Sequence, residues 1–147
     1  MPARLHVLLI EDSTGDLALA QEVFSLHQDR VQLTTLTTGE AALAALHDPQ
    51  MSRPDVILSD LHLPGISGLE LLSQVKADPA LTAIPVVLMS GDADPSFVTS
   101  AYRNRASAFL DKGQRFAQQL TAFLLFWLQA SVPSAAAQDD LNDTALA

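Results

Sequence analysis

Residues 7–13 read VLLIEDS, an apolar run that ends in two adjacent acids, Glu11 and Asp12. Two carboxylates about 4 Å apart repel by roughly 4 kcal/mol at an effective dielectric near 20, so a strand end carrying them calls for a compensating cation. Three more apolar runs end in residues able to do chemistry: VILSD in Asp60, VVLMS in Ser90, and FLDK in Lys112. Three carboxylates on one edge make a hard oxygen site. Such a site suits Mg²⁺, which keeps waters and takes one or two carboxylates together with a phosphate. Lys112 and Ser90 are superfluous for holding a cation but apt for an anion beside it. A phosphoryl group on Asp60 would employ all five residues: aspartate can accept one as a nucleophile, and the transfer needs chiefly positioning and neutralisation of spread negative charge.

For these residues to meet, the chain must bring several strand ends to one edge. The hydrophobic pattern changes period repeatedly along the sequence. Segments 6–10, 31–36, 56–58, 86–89 and 108–110 are short apolar runs that read as strands. Between them, 15–27, 39–47, 68–77, 96–105 and 114–129 carry helical spacing, with Leu17, Ala20 and Phe24 on one side of the first helix and Leu69, Leu72 and Val75 on one side of the third. Five strands alternating with five helices imply an α/β fold with a parallel sheet covered on both faces through right-handed crossovers. Strands apolar on both sides fit such a sheet. Thr38-Gly39, Asp48-Pro49, Asp78-Pro79 and Asp94-Pro95 stand at segment boundaries, where turns and caps belong. In open α/β sheets ligands bind outside the carboxyl ends of the strands, at a switch point, where Glu11, Asp12, Asp60, Ser90 and Lys112 would stand.

The 147 residues suffice for one domain with its own core. Residues 1–130 are expected to form it. Residues 131–147, rich in Ala, Ser and Asp, are expected to form a disordered acidic tail, because they cannot bury enough surface to offset their ordering entropy. With 8 basic and 17 acidic residues the net charge is −9, which repels nucleic acid and anionic membranes. The lack of cysteine excludes thiol chemistry and Cys-ligated metals. Neither a signal peptide nor an apolar run of the ~20 residues that span a membrane is present, so a cytoplasmic location is expected.

Each residue also has a plainer reading. Asp12 or Ser13 could simply cap the next helix, Asp60 could be a loop acid before Leu63-Pro64-Gly65, and Ser90 a polar strand end. His62 reads as an exposed turn residue and Phe109 as core. It is the constellation that carries the phosphoryl reading. The last helix is unusual in being apolar without a break over 122–128, AFLLFWL. On a 100° wheel Ala117, Leu120, Leu124 and Leu128 form its inward stripe, while Phe123 and Phe126 point elsewhere. Exposed aromatic pairs mark interfaces, so a homodimer through the fifth helix is expected, with Tyr102 of the fourth helix alongside.

The segments LLIEDS, DVILSDLHLPGISGLELL, IPVVLMSG and ASAFLDKG occur in the order and at the spacing of a response-regulator receiver domain, and residues 5 to about 129 resemble that family. The resemblance implies the flavodoxin-like (βα)5 fold with strand order 2-1-3-4-5. It also implies that Asp60 takes phosphate from a sensor histidine kinase, that Glu11 and Asp12 hold Mg²⁺ with Asp60 and the backbone carbonyl of His62, and that Lys112 pairs with the phosphate. Ser90 and Phe109 match the two switch positions, hydroxyl and aromatic. A stand-alone protein of this kind is a phospho-acceptor with at most slow self-dephosphorylation, not an enzyme. The FW pair in LTAFLLFWLQ and the longer segment HDPQMSRPD resemble the regulators paired with bacterial phytochrome kinases. Departures are Gly113, where the family usually has proline, His62 two residues beyond the acceptor, and Ser90 for the commoner threonine. Two other readings compete. One is a metal-dependent phosphatase using Asp60 as nucleophile, though His62 replaces the second aspartate of such enzymes. The other is an interaction module that no longer needs phosphate.

Overall fold

The computed structural model describes residues 4–92 and 94–130; the expected tail, 131–147, lies outside them. Ten elements alternate: β1 (Leu5–Ile10), α1 (Thr14–Ser25), β2 (Val31–Leu36), α2 (Gly39–Leu46), β3 (Val56–Asp60), α3 (Gly68–Ala77), β4 (Val86–Ser90), α4 (Pro95–Arg103), β5 (Ala108–Asp111) and α5 (Phe116–Gln129). All five strands are parallel and pair in the order β2-β1-β3-β4-β5. This is the flavodoxin-like arrangement expected from the sequence. Order reverses at β1, which has β2 on one side and β3 on the other, so the carboxyl ends of β1 and β3 flank the switch point.

Side chains alternate across the sheet with period two, and each set has its own helices. Val7, Leu9, Val56, Leu58, Val87 and Met89 face α1 and α5, packing on Ala20, Val23, Phe24, Leu120 and Leu124. Leu8, Ile10, Ile57, Val86 and Leu88 face α2, α3 and α4, packing on Ala42, Leu71, Leu72, Val75 and Ala101. Strands β3 and β4 are buried along their whole length, whereas the edge strands β2 and β5 are mostly half-buried. Each fully buried leucine or isoleucine contributes about 1.5–3 kcal/mol of transfer free energy, which is ample to hold the two layers of helices on the sheet.

The Asp-Pro pairs all work in the same way. The side chains of Asp48, Asp78 and Asp94 accept the backbone N–H two residues on, from Gln50 (2.9 Å), Ala80 (2.9 Å) and Ser96 (2.8 Å). The short carboxylate satisfies a donor while proline sets the next φ, and Pro95 then opens α4 as its first residue. Ser13, Thr38 and Ser67 cap α1, α2 and α3 by accepting the N–H of Asp16, Ala41 and Glu70. Three helix ends fall two residues short of expectation, including that of α4, which stops at Arg103. α1 stops at Ser25, whose hydroxyl donates to the carbonyl of Glu22, before a turn leads into β2. α5 begins at Phe116, whose N–H reaches the carbonyl of Gly113, without a side-chain cap.

Two apolar stripes are broader than the wheel suggests, as helices packed on sheets require. On α3 Leu71 is buried with Leu72 and Val75, while Leu69 is half-covered. On α5 the stripe of Leu120 and Leu124, with Ala117 and Leu128 partly buried, also takes in Phe123. That corrects the expected exposed double-Phe patch: Phe123 is 5% exposed, and Phe126 is 61% exposed. Phe123 stands three positions past Leu120, about 60° round the helix, close enough for a long ring to reach the core. Tyr102 is exposed on α4. Among the described residues no helix is long and apolar enough to cross a membrane.

Leu58 is fully buried at the centre of the sheet. Its truncation, Leu58→Ala, is expected to cost about 2–5 kcal/mol by lost transfer and a residual cavity, read as a lower urea midpoint at unchanged slope. An unchanged midpoint would contradict close packing at this position.

Candidate functional site

Register makes the strand ends flush. Ile10 pairs with Ser59, so Glu11 follows β1 at the level where Asp60 ends β3, and Ser90 pairs with Asp111, which sets Lys112 beside the end of β4. The backbone keeps these residues in place: Glu11 N–H donates to Leu36 (3.0 Å), Leu61 N–H to Met89 (2.8 Å) and Lys112 N–H to Ser90 (2.9 Å). Glu11, Lys112 and the residue after Asp60 are thus each tied by a backbone bond to a neighbouring strand.

The Lys112 ammonium is the hub. It donates to Glu11 Oε2 (2.7 Å), Asp16 Oδ2 (2.9 Å) and Asp60 Oδ2 (3.1 Å). Three donors meet three carboxylates, which uses the full capacity of an ammonium. The ring of Phe116 lies 5.8 Å from the same nitrogen. Glu11 is completely buried, and its other oxygen accepts from Ser13 N–H at 3.0 Å. Asp60 is also buried; its Oδ1 accepts from the backbone N–H of His62 at 3.3 Å. Carboxylate oxygens of Glu11, Asp12 and Asp60 all lie within 4.8 Å of one another.

One ammonium therefore faces four carboxylates. Burial pushes the Glu11 carboxyl up to about 7; the Lys112 hydrogen bond opposes this and the Asp60 charge adds to it. Burial would depress Lys112, but hydrogen bonds to Glu11 and Asp16 and the charges of Asp60 and Glu11 outweigh it and hold the ammonium above its ordinary value. Lys112 stays charged, and the cluster retains an excess of negative charge. A hard divalent cation fits the donor set of three carboxylate oxygens, one of them exposed on Asp12 and open to water.

The loop after Asp60, 61–67, is fastened at both ends. Gly68 N–H donates to Leu61 (2.8 Å), and a Cβ on Gly68 would collide with the backbone carbonyl of Asp60. Only glycine lets α3 start this close to β3. Near the tip, Ile66 N–H donates to Glu40 Oε1 (2.8 Å), and Gly65 turns at φ +74°, beside that carboxylate.

The structure brings Glu11, Asp12, Asp60 and Lys112 together as expected and places Ser90 at the same edge. Ser90 is buried, with its hydroxyl oxygen accepting Asp92 N–H at 2.9 Å rather than bonding Asp60. Phe109 is partly buried on the α4 face, paired with Leu88 across the strands. The side chain of His62 is exposed, as expected, yet it packs edge-to-face on Phe97 of α4. Sequence reasoning missed Asp16, Glu40 and Phe97. Asp16 had a signal: it lies in the first turn of the helix that follows the acid pair, four residues past Asp12, and so points to the same edge. Tyr102 and Phe126 stand on different helices with no ring contact between them. Next to Phe126, a groove of about 500 Å³ is lined by Val87, Ala108, Leu110, Phe123 and Trp127 among others.

Residues 7–123 match the family model for the response regulator receiver domain. The response regulator Rcp1 of Synechocystis sp. is 32% identical over 137 residues, covering 88% of this chain and 93% of that protein. Against the two-component response regulator ORR6 of Oryza sativa subsp. japonica the identity is 32% over 113 residues, 77% of this chain but 65% of that protein. Among solved structures, the phosphorylated cyanobacterial phytochrome response regulator RcpA matches with a TM-score of 0.85 at 31% identity, covering 90% of this chain and 100% of that one. The Mn²⁺-bound form of Rcp1 matches with a TM-score of 0.83 at 31% identity, covering 88% and 99%.

With the Glu11 carboxyl at about 7, a proton competes with any cation for this site. Mg²⁺ affinity is expected to fall by roughly tenfold from about pH 8 to about pH 6, measured by calorimetric titration, and Glu11→Gln is expected to flatten the profile. For folding without metal, a carboxyl held above its ordinary 4.5 binds its proton more readily in the native state. This group's contribution is therefore present below 4.5 and is lost as pH rises through about 7. A pH-independent affinity would contradict the placement of Glu11 in the cation site.

Proposed function

This chain belongs to the response-regulator receiver family, and from that premise we propose that it is a two-component signalling protein that accepts a phosphoryl group on Asp60. The observation that carries the proposal is the Lys112 ammonium bonded to Asp60 beside a cluster of three carboxylates. The alignment with Rcp1 along 93% of that protein supports a regulator of single-domain size, with the receiver at 1–130. The acceptor reading favours a donor of the phosphohistidine class, and the likeness to phytochrome response regulators supports a phytochrome-type sensor histidine kinase as partner.

In the transfer, an Asp60 carboxylate oxygen attacks phosphorus and the P–N bond of the phosphohistidine breaks. The electron pair returns to the donor imidazole, which takes up a proton, and an acyl phosphate is left on Asp60. Lys112 offers its ammonium to the incoming oxygens, at a site where charge stabilisation counts for more than in water. Mg²⁺ held by Glu11, Asp12, Asp60 and the His62 backbone carbonyl would neutralise the charge spread over the transferring group. Ser90 then turns its hydroxyl from Asp92 toward the phosphoryl oxygens, and Phe109 follows inward, changing the α4 face. The protein itself turns nothing over beyond slow loss of this phosphate.

Output through a homodimer is supported by the exposure of Phe126 and by the apolar groove beside it. Tyr102 and the rim of Phe123 would border the contact. At micromolar concentration Phe126→Glu is expected to give a monomer by light scattering; a dimer unaffected by the change would place the interface elsewhere.

The acceptor chemistry is tested by intact mass after treatment with acetyl phosphate. One Mg²⁺-dependent phosphoryl adduct is expected on the wild type, abolished by chelator and by Asp60→Asn. An adduct that persists on the variant would remove Asp60 from this role. No adduct at all, with partner binding intact, would favour the phosphate-independent module.

A further inference from the structure

Among the described residues three ring contacts occur, and two of them lie within α5. The third spans two elements. His62, in the loop directly after Asp60, meets Phe97 of α4 with ring centroids 5.3 Å apart and planes at 79°. Edge-to-face packing is a favoured arrangement of aromatic rings. His62 has a second contact of a different kind, its backbone N–H on Asp60 Oδ1. One residue thus touches the acceptor carboxylate with its main chain and α4 with its side chain. Phe97 is packed against the same apolar cluster as Phe109.

We propose that the His62–Phe97 ring pair is a positioning element of the receiver, coupling the charge state of the Asp60 carboxylate to the first turns of α4. The inference rests on the acceptor reading above. A hydrogen bond to a carboxylate is roughly twice as strong as one to a neutral oxygen. Phosphoryl transfer converts the Asp60 carboxylate into an acyl phosphate, so the acceptor that His62 N–H meets changes in both charge and position. The ends of the loop are pinned, Leu61 to Met89 and Gly68, and Ile66 to Glu40. The shift is therefore concentrated at His62, and its ring passes the shift to Phe97. This route runs beside the one through Ser90 and Phe109.

The test is hydrogen exchange of peptides covering 94–103 in Mg²⁺ throughout, with and without acetyl phosphate. It is run on wild type, Phe97→Leu, His62→Ala and the double variant, each normalised to its phosphorylated fraction by intact mass. Phe97→Leu keeps an apolar side chain on the core and removes the ring. In the wild type, protection of α4 is expected to change on phosphorylation. Each single variant is expected to shrink that change by roughly twofold or more, and the double variant no further, as residues acting as one unit require. A merely structural contact would alter α4 protection equally in both phosphorylation states, and that result overturns the proposal. So does an undiminished response in the single variants, or none in the wild type. Failure of the acceptor reading is distinguished by the absence of any adduct on the wild type.

Discussion

One ammonium shared among three carboxylates is the interaction on which the rest of the site depends. Lys112 directly follows the last strand, Glu11 directly follows the first, Asp60 ends the third, and Asp16 lies in α1. No local segment could assemble that set. Like charges at such separations repel strongly in a partly buried place, and the lysine offsets part of the repulsion. What it leaves is an excess of negative charge that burial has already pressed toward protonation at Glu11. A divalent cation would relieve that excess, and under the proposed function a phosphoryl group on Asp60 would then satisfy the cation and the lysine together. The site is poised because it is under-compensated.

The fold makes this concentration of charge tolerable. A parallel sheet covered on both faces is buried through its middle and opens only at its ends. β3 and β4, which carry Asp60 and Ser90, are fully buried, so their last residues are held by packing on two sides and by ladder bonds to neighbours. The acceptor is thus held by a rigid strand end. The loop after it is held too, by Gly68 against the strand and by Glu40 from α2. At the same edge the buried Ser90 hydroxyl oxygen accepts the Asp92 N–H. A buried hydroxyl that can exchange one acceptor or donor for another is a two-state element of the kind a charge change can bias.

Much of this was legible in the sequence. Short apolar runs alternating with helical spacing dictated the five strands and five helices, and four of the runs placed polar residues at or just past their ends on the same edge of the sheet. Glu11, Asp12, Asp60, Ser90 and Lys112 could be located because a strand end is a position that periodicity defines. The Asp-Pro turns were legible for a similar reason: the carboxylate and the ring act within three residues of chain. Phe123 was misread because a helical wheel treats a stripe as a line, whereas a long ring on the margin of the stripe can swing into the core.

By itself, then, the sequence determined what local physics controls: the element order, the turn chemistry, the residues at each strand end, and through their charges the need for a cation. Tertiary structure alone decided which partners those residues meet. Asp16 joined the lysine because the rotation of α1 about its axis is set by Phe24 and Ala20 packing on the sheet. Glu40 reached the acceptor loop because α2 lies against α3 on one face. His62 met Phe97 because β3 and β4 are neighbours, which puts the loop after one strand beside the helix after the other. Contacts between residues distant in the chain depend on how whole elements pack, and no pattern of types along one strand or helix carries that information.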